Sequence, residues 1–171
     1  MNAAVWFGAA IFFTFGAGPA IFSKEMEHAL QLKPELPFAY FAGGIAQVII
    51  ASYFHLQLAC GFVALLHLLA ERLYLGKSPD SRSLGLLTVL LSISLLGGFW
   101  LQPKLKNLHT IRYRVSTPAE TREAARESFR TWHGVSQIVN LLMISGLGFY
   151  LWGVANPPDS TRFLIPGKFR G

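Results

Sequence analysis

Four long apolar stretches alternate with polar segments along the chain, at about 3–22, 51–70, 84–101 and 133–153, and none contains Asp, Glu, Lys or Arg. A helix of about 20 apolar residues is long enough to cross the ~30 Å hydrocarbon layer of a bilayer. Each stretch therefore predicts one membrane-spanning helix. The length of the chain allows a single domain, 1–171, and we expect an all-α fold, an integral membrane four-helix bundle.

The segment 23–50 combines a polar half and an apolar half. Ser23 is a favourable N-cap for a short polar helix, which Pro34 and Pro37 then interrupt. The apolar part, 38–50, is too short to cross a membrane. We expect the whole segment to be interfacial and to lead into the second span, and two successive glycines leave open whether the helix is continuous.

The segment 102–132 is polar and contains a sequence pattern that is typical of the beginning of a helix. Thr117, Pro118 and Glu120 match a capping box with proline at the first helical position. Helix-forming residues then continue into the fourth span, which predicts one helix of about 36 residues, ~54 Å long. Its first third would extend from the membrane into the cytoplasm. The tail 154–171 is rich in proline and is expected to be extended.

Composition supports the membrane assignment and suggests an orientation. Charged residues make up 14% of the chain, against about 25% in soluble domains. The net charge of +6 lies mostly between the apolar stretches and no nucleic-acid-binding motif accompanies it, so the expected partner is the lipid bilayer and not a nucleic acid. Segments 23–50 and 102–132 hold nine of the 15 Lys and Arg, which favours an orientation with these segments cytoplasmic and both termini outside. We expect a multi-pass protein of the cytoplasmic or plasma membrane.

A polar stripe enters the fourth span. His133, Ser136, Gln137 and Asn140 lie within about 100° of one another around a helix, and Arg130 extends the stripe towards the cytoplasm. Unpaired polar groups are costly in lipid, so the stripe must face other helices or a wet cavity. Two hypotheses follow: these side chains hold the bundle together, or they bind a small polar or lipid ligand.

Small residues recur on the first span, at Ala10, Thr14 and Gly18. Spacing of four residues places them on one helix face, where another backbone can approach closely. Such a ridge is typical of ordinary packing inside a bundle. It is also a candidate surface for a partner subunit or a second copy of the chain.

Histidines are the candidate metal or haem ligands. His55 begins the second span, His133 begins the fourth and His109 follows the third, so all three are expected at the same membrane face. Neutral imidazole binds haem iron and copper, which makes haem b or copper a possible cofactor, although interfacial histidines are also common as anchors. Phosphate-loop, dinucleotide-turn and nucleophile-elbow motifs are missing from the sequence, which does not favour an enzyme.

Several motifs resemble one family. The pattern His-Gly-x-Ser-x-x-x-Asn-Leu begins at His133, a Tyr-Phe pair begins at Tyr53, and the first and third spans end in Gly18-Pro19 and in Trp100 with Pro103 and Arg112. In these features the chain resembles the transmembrane protein 205-like family, domain of unknown function 4149. The resemblance implies a small four-helix membrane protein and no particular reaction.

Three functional hypotheses remain from the sequence. The first is a non-enzymatic membrane protein, either an accessory subunit of a larger complex or a binder of a small polar or lipid ligand at the stripe. The second is a haem- or metal-binding redox protein that uses His55 and His133. The third is a small transporter that works as an oligomer, because four helices enclose little space for a path.

Overall fold

A computed structural model describes residues 1–33, 35–76 and 80–156. The described residues form helices and contain no strand, which confirms the predicted all-α class. Pro34, which is expected to interrupt the short polar helix, and the tail from 157 onwards lie outside the described residues. The helices, in chain order, are α1 (Asn2–Ile21), α2 (Lys24–Leu30), α3 (Phe38–Leu75), α4 (Ser81–Tyr113) and α5 (Ala119–Ala155).

The structure contains four long apolar helices, the number of spans that the sequence predicts. Each of α1, α3, α4 and α5 is long and apolar enough to cross a membrane, so the protein is an integral membrane protein. At 1.5 Å per residue α1 is ~30 Å long and matches the hydrocarbon layer, whereas the other three are ~50–57 Å long and must extend beyond it.

Local capping determines where α2 and α3 begin and end. The Ser23 hydroxyl accepts a hydrogen bond from the Met26 N–H at 3.2 Å, as the sequence predicts for α2. Helix α3 begins directly after Pro37 and continues without a break through Gly43 and Gly44. The apolar segment 38–50 is therefore part of the same helix as the second span. Its interfacial location stays a prediction.

The polar segment 102–132 forms a helical hairpin. Its first arm is Gln102–Tyr113, the end of α4, and its second arm is the beginning of α5, which packs against it. The sequence predicts α5 well, with 37 residues against about 36 expected. The sequence analysis did not predict the first arm, which packs against the beginning of α5.

The predicted capping box is wrong. Helix α5 begins at Ala119, with Pro118 at the N-cap position and no side-chain hydrogen bond to the helix end. Thr117 instead belongs to the turn between the hairpin arms, where its N–H donates to the Arg114 carbonyl at 3.1 Å. A proline at the N-cap position has no side-chain acceptor, so the first N–H groups of α5 receive no cap from it.

The main core lies where α1, α3, α4 and α5 meet. Trp6, Leu87, Leu90 and Leu147 are almost completely buried there. Trp6 also packs edge to face against Tyr150, with ring centroids 6.2 Å apart. Much of the remaining apolar surface of the spans is exposed, as it should be where lipid replaces water as the solvent.

The small-residue ridge of α1 is occupied inside the bundle. Ala10 has no exposed surface, and the Thr14 hydroxyl accepts a hydrogen bond from the Asn140 amide of α5 at 2.7 Å. Ala10 and Thr14 therefore hold the monomer together. This corrects the expectation that the ridge, with Gly18 at its end, presents these two residues to a partner subunit or a second copy.

Two short π-helical segments interrupt the regular helices, Phe12–Ala17 in α1 and Gly97–Leu101 in α4. A proline follows each segment, Pro19 in α1 and Pro103 in α4. Proline has no N–H to donate and its ring clashes with the carbonyl four residues earlier, which lies inside each π segment. The wider turns accommodate that carbonyl, and π segments are frequent at functional sites.

Candidate functional site

A chain of hydrogen bonds joins three helices around Asn140. The Tyr53 hydroxyl of α3 donates to Asn140 Oδ1 at 3.3 Å, and Asn140 Nδ2 donates to Thr14 Oγ1 of α1 at 2.7 Å. The Thr14 hydroxyl in turn donates to the Ala10 carbonyl at 2.8 Å. The amide oxygen and the amide nitrogen of Asn140 thus each have a hydrogen-bond partner, as polar groups inside a membrane require.

A second polar group lies one turn further along α3. Gln57 is 2% exposed, and its Oε1 accepts a hydrogen bond from the indole N–H of Trp6. Its Nε2 has no hydrogen-bond partner among the described residues. An amide that is buried without a partner costs about 1–3 kcal/mol, so this nitrogen calls for an acceptor.

A cavity of about 60 Å³ adjoins both polar groups. Its polar lining comes from Tyr53, Gln57, Ser94, Ser136 and Asn140, and no Asp, Glu, Lys, Arg or His of the described chain lines it. The remaining lining is apolar and consists of Phe54, Ile93, Gly97, Leu101, Val139 and Met143. At ~30 Å³ per water molecule, the space holds about two.

The cavity lies between helix segments that the sequence predicts to span the membrane. Asn140 follows Trp132, an interfacial residue type, by eight residues, or ~12 Å along α5. Both π segments border this region, since Thr14 belongs to the first and Gly97 and Leu101 to the second. A Cβ at Gly97 would overlap the Phe54 ring, so this glycine lets α3 and α4 approach at the cavity wall.

The lining offers both donors and acceptors to a bound molecule. The Gln57 Nε2 group has two hydrogens to donate. Ser94 and Ser136 each donate to a carbonyl of their own helix, at 2.9 and 2.8 Å, which leaves their oxygen lone pairs free to accept. Without a formal charge to pair with, an ion would be very costly here, so the chemistry suits a small neutral hydrogen-bonding molecule.

The structure divides the predicted polar stripe. Asn140 and Ser136 lie at the cavity, whereas His133, Gln137 and Arg130 are exposed. Gln137 and Arg130 lie about 60° and 80° around the helix from Asn140. His133 lies within about 20° of Asn140 but seven residues, or ~10 Å, nearer the hairpin.

The candidate metal or haem ligands do not form a metal-binding group among the described residues. His109 and His133 each pack against Phe129, with centroids 6.2 and 5.7 Å from it, and no ring contact joins the two imidazoles. His55 is exposed and lies two residues from the buried Tyr53, about 200° around α3. The described residues contain no group of three or more His, Cys, Asp or Glu that could hold a metal. The described residues therefore lend no support to a haem or copper ion held by these histidines.

Two members of the site escape the sequence analysis. Gln57 could have been found, because it is an amide within a charge-free apolar stretch and shares a helix face with Tyr53 and Cys60. Ser94 could not, because serines in membrane helices commonly donate to their own backbone, as exposed Ser92 also does.

A separate polar group is buried at the base of the hairpin. His109 is 6% exposed and lies eight residues beyond the third predicted span. Its ring stacks on Tyr40 at 5.8 Å and occupies the space left by Gly43, where a Cβ would overlap it. Burial lowers the pKa of His109, the hydrogen bond to the Ala39 backbone opposes this shift, and the charge of Arg112 adds to it.

This pKa shift predicts acid sensitivity. Because the folded pKa of His109 lies below the ordinary 6.5, the unfolded chain binds more protons as the pH falls through that value. We expect the free energy of unfolding of the wild type to decrease between about pH 7.5 and pH 5.5. Denaturant unfolding in detergent across this range measures the slope. The slope should be smaller in His109→Phe, and an equal slope in both proteins would contradict the assignment.

The comparisons with known proteins cover the first four helices. A family model described as "Domain of unknown function (DUF4149)" matches residues 1–114. The match includes Thr14, Tyr53, Gln57 and Ser94 and ends before α5, which carries Asn140. No curated protein and no solved structure matches the chain.

Proposed function

The chain belongs to the DUF4149 family, since the match spans 114 of its 171 residues. On this premise we propose that the chain is a non-enzymatic membrane protein and that it holds a small neutral polar ligand beside Asn140. The observation that carries the proposal is the unpartnered, buried Nε2 of Gln57 at a cavity. Buried polar atoms in folded proteins almost always have a partner, so an acceptor such as water or a ligand oxygen is expected there.

The size and chemistry of the cavity narrow the ligand class. About 60 Å³ accommodates one or two water molecules, or a neutral molecule of about three heavy atoms. A lipid chain is far larger than this space, so of the two ligand classes suggested by the polar stripe the geometry favours the small polar one. An ion would lose its hydration without gaining a charged partner.

Replacement of Ser136 by valine tests the proposal. The added methyl groups occupy cavity volume and remove one acceptor, while Asn140 keeps its bonds to Tyr53 and Thr14. With formamide as the probe, titration of the wild type in lipid nanodiscs should produce saturable NMR shifts of the Gln57 side-chain amide and a cross-peak between that amide and water. Ser136→Val should weaken or abolish both signals.

Ser145→Val provides the matched control. Ser145 lies on the same helix and also donates to a carbonyl of α5, at 3.0 Å, but it is exposed and does not line the cavity. This variant should keep the wild-type response. Absence of any water or formamide signal at Gln57 in the wild type, with the protein folded, would exclude the proposed ligand site.

A second candidate, an accessory subunit, rests on Gln137. Its side chain is exposed on the fourth span, five residues or ~8 Å beyond Trp132, where lipid offers no hydrogen-bond partner. A helix of a partner protein could satisfy this amide. Gln137→Leu should then release that partner when the protein is extracted from its native membrane in mild detergent, whereas Ser145→Val should not. Solitary migration of the wild type would count against this role.

A further inference from the structure

A groove between the hairpin arms gathers cationic side chains. It has a volume of about 350 Å³ and lies between the end of α4 and the first two turns of α5. Three guanidinium groups line it, those of Arg112, Arg122 and Arg126, together with Tyr113 and the single carboxylate of Glu123. The groove is therefore strongly electropositive.

Among the described lining residues Glu123 is the single carboxylate, and it does not neutralise the groove. Glu123 pairs with Arg126 at 3.6 Å, and both side chains are about 60% exposed. Exposed pairs of this kind contribute little, so Arg126 can turn to another anion at small cost. Among the described residues no salt bridge involves Arg112 or Arg122, and Arg112 lies over the Tyr113 ring with its guanidinium carbon 5.0 Å from the centroid.

Backbone donors add to this positive field. The uncapped beginning of α5 lies at the groove, where Ala119 is part of the lining. The first N–H groups of a helix lack partners within the helix and carry a partial positive charge. These N–H groups add to the attraction of the arginines for an anion, and the arginines contribute most of it. From these observations we propose that the groove binds a phosphate group, which guanidinium pairs recognise by bidentate hydrogen bonds.

The position of the groove favours a water-soluble phosphate compound over a lipid headgroup. Trp100 and Trp132 pack edge to face at 5.2 Å, and Lys104 lies over both rings, an arrangement typical of the membrane interface. Along α5, Arg126 lies ~9 Å from Trp132 and Ala119 ~20 Å from it. The headgroup layer is only ~5–8 Å thick on each side, so most of the groove lies above it.

Pyrophosphate binding tests the site directly. The full chain in nanodiscs of phosphatidylcholine, which carries no net charge, is titrated with inorganic pyrophosphate in a calorimeter. Saturable binding is expected, and it should weaken as salt is raised from about 0.01 M to about 1 M, since the Debye length falls from ~30 to ~3 Å. Arg112→Gln and Arg122→Gln should each raise the Kd by about tenfold.

Arg82→Gln is the control variant, because it removes one exposed arginine at the opposite end of α4. It should leave the Kd unchanged. Binding that falls equally in all three variants would show general charge attraction and overturn the proposal. Binding that is insensitive to Arg112→Gln and Arg122→Gln would overturn it as well. Arg122 is exposed on α5, so Arg122→Gln should leave the fold intact.

A second experiment distinguishes a soluble phosphate compound from a lipid headgroup as the ligand. Native mass spectrometry of the protein from mixed phosphatidylcholine and phosphatidylglycerol nanodiscs counts the retained anionic lipids. If a headgroup occupies the groove, the wild type should retain one more phosphatidylglycerol than Arg122→Gln does. If the ligand is soluble, both proteins retain the same number while only the wild type binds pyrophosphate tightly. Failure of both signals would exclude a phosphate site, without bearing on the Asn140 cavity.

Discussion

Gly43→Ala should destabilise the protein by about 1–3 kcal/mol, the cost of forcing an extra methyl group into a packed site. A Cβ at position 43 would overlap the His109 ring, which is buried against α3 and cannot move towards Tyr40 without losing its stacking. Either the ring or the helix α3 must shift. Denaturant or thermal unfolding in detergent measures the loss.

The neighbouring glycine supplies a matched control. Gly44 lies in the same helix, and a Cβ there would meet nothing within 4 Å. Gly44→Ala should therefore stabilise the protein by about 0.5–1 kcal/mol, since alanine is the better helix former. Opposite signs at adjacent positions would confirm the contact with His109. A second check is the His109→Ala background, where the penalty of Gly43→Ala should largely vanish.

Asn140→Leu is the other change with a large expected effect. Leucine keeps the apolar bulk but removes both hydrogen bonds, so the Tyr53 hydroxyl loses its acceptor and Thr14 loses a donor. Hydrogen bonds between membrane helices contribute about 0.6 kcal/mol on average and up to ~1.7, so we expect a loss of about 1–3 kcal/mol. Unfolding by a graded denaturing detergent would measure it.

Gln137→Leu separates this network effect from a general effect of removing an amide. Gln137 is exposed on the same helix and has no hydrogen bond among the described residues, so its replacement should change the stability of the monomer by less than ~0.5 kcal/mol. Thr14→Val should reproduce part of the Asn140→Leu loss. Equal effects of Asn140→Leu and Gln137→Leu would show that the three-helix network contributes nothing to stability.

The sequence predicted the site only where its pattern was local. The stripe on α5 identified Asn140 and Ser136 as polar residues of the bundle, because helical periodicity alone places them on one face. It also included His133 and Gln137, which the structure exposes, because periodicity does not show how far around or along a helix its neighbours reach. Only the rotation of α3 in the bundle shows that Tyr53 is buried while His55 is exposed.

By itself the sequence determined that this is an all-α membrane protein with four spans and a long fourth helix. These features depend on the free energy of transferring consecutive side chains into lipid, which is summed locally along the chain. Only the tertiary structure decided the hairpin, the cavity and the network at Asn140. Those features depend on helix rotation and register, which bring Thr14 to Asn140 across 126 positions of the chain, and no local pattern specifies that pairing.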